Sequence, residues 1–143
     1  MTKDKAVYHW KNGAADAFQT AQDLFKLKRY QFCLFFVQLT LEKILKAIYI
    51  DKKDESFPPT HDLLLIANQA GLKIDEETKE KLKEISTFNI SARYDTYKLE
   101  FYKKATKEFT AKRFQTGQKL YQQFLELLPW TKVYKLPNHI FKN

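Results

Sequence analysis

The chain has 143 residues, with 44% hydrophobic side chains, 3 Gly, 4 Pro and a formal net charge of +8 at pH 7. That length suits one domain with a core of its own, and the scarcity of turn formers beside long periodic segments predicts an all-α fold. The single cysteine excludes a disulfide framework and a cysteine metal site. No apolar run approaches the roughly 18 residues of a membrane span and no apolar signal core opens the chain, so the expected location is the reducing cytoplasm.

Residues 5–27 are expected to form a first helix, because Val7, Trp10, Ala14, Ala17, Ala21 and Leu24 recur at steps of three and four and Phe18 and Phe25 widen the stripe. Its alanines allow close approach of a partner, and Lys26, Lys28 and Arg29 suit its C-terminus. The link to the next helix is short, which implies an antiparallel hairpin.

Residues 30–50 read as the central helix. Leu34, Val37, Leu41, Ile44 and Ile48 make one stripe, and Phe32, Phe35, Phe36, Leu39 and Leu45 spread it over most of the surface. Across this apolar background Gln38, Glu42 and Lys46 stand at four-residue steps on one edge, with Lys43 beside Glu42. The edge is either a seam between helices, with Glu42 and Lys46 as an ion pair, or a face turned to a groove. Residues 51–59 are expected to be a proline-closed loop. Thr60 is the expected N-cap of a short third helix over 61–70, which Gly71 stops.

Asp75 is the expected cap of a fourth helix carrying Leu82, Ile85 and Phe88 inward and ending near Asn89. Residues 89–102 show no clear period and read as a long connection, a kind of segment that often serves function. The last helix is expected over 103–128, on Phe114, Gly117, Tyr121, Phe124 and Leu128, with Gly117 marking close packing. The tail, 129–143, is apolar, basic and punctuated by proline. It is expected to pack along the body or on a neighbouring subunit.

Charge is unevenly spread: residues 1–97 hold 15 Lys and Arg against 14 Asp and Glu, whereas residues 98–143 hold 10 against 3. Such a basic third attracts an anionic partner, or it serves as a solubilising face. No glycine-rich phosphate loop is present, and His9, His61 and His139 lack metal-ligand spacing, so neither cofactor nor metal is expected. Cys33, set among Phe32, Leu34 and Phe35, reads as core.

The succession of Arg29-Tyr30, the E-K-x-x-K-A piece at Glu42, Lys43, Lys46 and Ala47, the T-H-D-L piece from Thr60 to Leu63, and the A-R-Y piece from Ala92 to Tyr94 resembles the HEPN domain. These signals run over about residues 6–128. The resemblance implies an antiparallel, up-and-down bundle of about five helices over 5–128, usually a homodimer. It also implies a frequent partner, a separately encoded minimal nucleotidyltransferase, in toxin–antitoxin-like pairs.

Many relatives are metal-independent RNases with an arginine followed four to six residues later by histidine, and that motif is absent after Arg29, Arg93 and Arg113. Asp95 also stands where the family's arginine–tyrosine pair is typically followed by proline. The reading that follows is a non-catalytic domain associated with a nucleotide or RNA. Its expected ligand contacts are Glu42, Lys43, Lys46, His61, Arg93 and Tyr94, with free amides at Thr60 and His61 offered to an anion. A divergent RNase using Arg93 and His61, a pure interaction module, or a buried polar network that merely fixes the bundle are the alternatives.

Overall fold

The computed structural model describes residues 2–91 and 95–129, and among these there are six helices and no strand. α1, Lys3–Lys26, starts on Thr2, whose hydroxyl accepts from the Lys5 amide at 3.2 Å, and Asp4 complements the positive end of the helix. Val7, Ala14, Ala17 and Ala21 are its buried residues. It ends in a Schellman closure: the Arg29 amide bonds the Leu24 carbonyl, the Lys28 amide bonds that of Phe25, and Lys28 takes the left-handed conformation at φ 61°.

α2, Tyr30–Lys53, begins directly after this turn and lies at the centre, touching every other helix. Phe25 meets Tyr30, Gly13 meets Lys43 and Trp10 meets Lys46, so α1 and α2 run antiparallel as the short link requires. Fourteen α2 residues are buried, from Cys33 and Leu34 to Tyr49 and Ile50. The helix runs a turn beyond the expected end at Ile50 because Asp54, at φ 51°, closes it onto the Ile50 carbonyl.

α3, Leu63–Gln69, is shorter than expected and starts later. Asp62 rather than Thr60 is its cap, accepting from the Leu65 amide, while the Thr60 hydroxyl accepts from the Asp62 amide. Gly71 ends it as expected: φ is 80°, and its amide and that of Leu72 close a second Schellman turn on Asn68 and Ala67. α4, Glu76–Ser91, starts on Asp75, which accepts from the Thr78 amide at 2.7 Å.

The expected long connection over 89–102 is corrected in its second half, which contains α5, Asp95–Lys104. This helix has little apolar periodicity because its described buried anchor is Phe101, packed on Phe88 with ring centroids 5.5 Å apart. Ala105 and Thr106 then break the chain, and α6, Lys107–Leu125, starts on Thr106, four residues later than expected. It also stops three residues earlier than expected, at a turn in which Leu128 is still buried.

α6 closes on the hairpin by stacking Phe114 on Phe18 at 5.4 Å and setting Gly117 against Val37 of α2. A Cβ on Gly117 would collide with Val37 Cγ1, so the expected close packing is real. Arg113 holds Glu84 of α4 through two bonds at 3.3 and 3.1 Å, with its guanidinium 3.8 Å above the Phe109 ring. Among the described residues no helix is long and apolar enough to cross a membrane.

Candidate functional site

The polar edge of α2 is turned inward. Gln38, Glu42 and Lys46 are buried, and their bonds run as a chain through the interior. Asn89 of α4 donates to the Gln38 oxygen at 3.3 Å, and the Gln38 amide donates to Glu42 Oε1 at 3.0 Å and to the His61 carbonyl at 3.1 Å. Lys46 Nζ donates to Glu42 Oε2 at 2.8 Å, and the His61 ring places Nδ1 2.9 Å from Glu42 Oε1. Burial by itself would raise the Glu42 carboxyl. The bonds from Lys46, Gln38 and His61, with the Lys46 charge, outweigh it and hold the group below its ordinary value.

Lys46 is compensated on its other sides by ring faces. Its ammonium lies 4.5 Å from the Phe57 centroid and 5.5 Å from that of Trp10, and those two rings meet edge to face at 4.8 Å. Neither ring was indicated by the spacing of the α2 residues. Trp10 belongs to the α1 stripe, and Phe57 precedes two prolines in the loop that brings it back over α2. Lys43 goes elsewhere: a Cβ on Gly13 would meet its Cδ at 3.2 Å and its Nζ at 3.3 Å, so its stem lies across α1.

His61 is the member of this group that reaches solvent. Its side chain is 58% exposed, whereas that of Glu42 is 5% exposed. An ionised carboxylate only accepts, so the proton sits on Nδ1 and Nε2 is the nitrogen presented outward. The amides expected to serve an anion near Thr60 and His61 are partly spoken for, since the Leu63 amide donates to Ser86 Oγ at 3.0 Å and those of Asp62 and Leu65 are bonded within the turn. Arg93 and Tyr94 lie outside the described residues, as does the tail from 130 onward.

The structure therefore brings Glu42, Lys46 and His61 together, turns Lys43 of α2 away against α1, and adds Gln38, Asn89, Trp10 and Phe57. Chemically it is a buried carboxylate holding one outward imidazole and one inward ammonium. Cys33 is fully buried and its thiol is pushed up to about 12 by burial, in keeping with a core role. Among the described residues no three His, Cys, Asp or Glu gather as a metal site.

The fold is similar to that of TT1696 from Thermus thermophilus, known from a crystal structure. The TM-score is 0.73 at 19% identity, covering 85% of this chain and 98% of that one. No curated protein matches in sequence. The HEPN domain model matches residues 7–128, from the first turns of α1 to the end of the bundle, and the chain belongs to the HEPN domain family.

Proposed function

We propose that this HEPN domain is a nucleotide- or RNA-associated binding domain in which His61 is the exposed ligand contact, acting with Arg93. In this reading it is the non-catalytic partner of a separately encoded minimal nucleotidyltransferase in a toxin–antitoxin-like pair. The observation that carries the ligand site is the pairing of a 5% exposed carboxylate with a 58% exposed imidazole, which fixes the ring and turns Nε2 outward. Lys46 contributes by fixing Glu42. The partner role rests on the family, and self-association is supported by Phe32, Phe35, Phe36 and Leu39, which stay half-buried along α2.

Calorimetric titration of ATP, GTP and a short single-stranded RNA into the wild type, His61→Ala and Arg93→Ala tests the ligand site. Heat in the wild type that disappears in both folded variants is the expected result. Unchanged binding in both, with lowered melting temperatures, would instead assign the cluster to stability alone. Copurification with a nucleotidyltransferase encoded beside it tests the partner.

One feature favours a second reading, metal-independent RNA cleavage. A carboxylate on Nδ1 with Nε2 free is the arrangement by which an imidazole is oriented as a general base or acid. That reading predicts cleavage lost in both His61→Ala and Arg93→Ala, and intact RNA at high protein concentration removes it.

A further inference from the structure

Among the described residues, the outer side of α5 leaves two large apolar side chains exposed. Leu99 is 61% exposed and Tyr102 is 62% exposed, one turn apart, while Phe101 between them is buried against Phe88. Lys98 and Leu99 stand one turn before Tyr102 on its own side of the helix, and Lys103 stands one turn after Leu99. All four side chains are exposed, as is Lys107 at the start of α6. From 98 to 119 the sequence carries seven Lys and Arg against two Glu, so the strip lies in the most basic part of the described chain.

The ring and the leucine are each more than half exposed, and the cations around them have a simple complement. A flexible polyanion with flat apolar faces would lay a base on the Tyr102 ring, another against Leu99, and its phosphates along Lys103 and Lys107. An acidic protein segment would satisfy the lysines, but a nucleic acid strand brings a flat apolar face with every charge. Rigid duplex would satisfy the lysines while keeping its bases stacked on one another.

The geometry points to the outer face of α5 as a stacking platform for single-stranded RNA. This names the ligand class of the reading proposed above and rests on it, but it uses residues separate from the His61 cluster. Lys104 and Arg113 belong to a different group, at the α5–α6 corner: Lys104 Nζ lies 5.4 Å from the Phe109 centroid and the Arg113 guanidinium 3.8 Å from it, with Arg113 also paired to Glu84.

Fluorescence anisotropy of a labelled oligouridylate is the test, with wild type, Tyr102→Ala, Tyr102→Phe, the pair Lys103→Gln/Lys107→Gln and His61→Ala compared over a salt series. Tyr102→Ala is expected to weaken binding roughly 5- to 150-fold, the range for losing one base–aromatic stack, and Tyr102→Phe to preserve it. The lysine pair is expected to reduce the slope of log affinity against log salt by about 1.4, at ~0.7 per single-strand phosphate contact. Both Tyr102 variants are expected to stay folded by melting temperature, since the side chain is 62% exposed.

Equal affinity of wild type and Tyr102→Ala overturns the platform. If RNA binding or nucleotide heat then still depends on His61, the reading of that site stands alone. Binding that depends on Tyr102 and ignores His61 establishes the platform and overturns the His61 contact instead. Polyglutamate bound as tightly as RNA, with Tyr102→Ala indifferent to both, also overturns it and leaves an acidic protein as the occupant.

Discussion

A carboxyl group sealed inside a helical bundle is ordinarily driven to take up a proton, and Glu42 avoids this because three donors converge on its two oxygens. The balance makes the group sensitive to loss of either charge. Glu42→Gln preserves the shape but leaves the Lys46 ammonium buried without its countercharge, and we expect a loss of about 3–5 kcal/mol in urea unfolding. Adding Lys46→Met, which suits the Trp10 and Phe57 wall, is expected to return most of it. The sign of the pH dependence follows from the lowered folded value. Its stabilisation is complete above the unfolded-chain value of about 4.3 and is lost as pH falls through the lower folded value. Stability measured down this acid range should therefore fall more steeply in the wild type than in Glu42→Gln. The same loss in both would show that other carboxylates govern the acid limb.

At the scale of elements, the two Schellman turns give an internal comparison. Gly71 and Lys28 occupy the same left-handed position after α3 and α1, at φ 80° and 61°. A lysine there pays for its Cβ, at roughly 1–2 kcal/mol before the entropy of glycine is set against it, so Lys28→Gly is expected to stabilise the fold by a net ~0.5–1 kcal/mol, read as a higher melting temperature. A lowered melting temperature would mean that the lysine stem makes a compensating contact. Gly117 answers to space rather than to conformation. Gly117→Ala should gain about 1 kcal/mol in helix propensity and lose about 1–3 kcal/mol to its collision with Val37. The net loss should be relieved when Val37→Ala is added.

These elements also explain what could be read from the residues. Gly71, Asp75 and Gly117 each announce one local demand, a left-handed turn, a free amide or a close approach, and each was found where its residue type indicated. α5 was hidden because a helix anchored through Phe101 has no recurring stripe to betray it. Thr60 misled because Asp62, two residues on, offers a better acceptor to the first free amides. The ion pair of Glu42 and Lys46 was visible as a four-residue step. The rings over Lys46 were not, since Trp10 and Phe57 arrive from different segments and sequence spacing carries no signal across that distance.

The molecule as a whole is arranged about one buried helix, with the hairpin partner α1, the small α3, α4 and α5, and the closing α6 all seated on it. That layout was legible because α2 is apolar on nearly every side and must be surrounded. It also makes the sole sulfhydryl of the chain an internal clock. Cys33 has no surface to offer and a thiol that resists ionisation, so a disulfide reagent such as Ellman's can reach it only after α2 parts from its neighbours. When reclosing outruns the reagent, the labelling rate divided by that of an unfolded peptide equals the fraction of molecules open at any instant. We expect that fraction to match the global unfolding constant and to rise in Glu42→Gln by the factor its lost stability dictates. Labelling faster than this would reveal a breathing motion confined to the start of α2, timed without any probe being added to the protein.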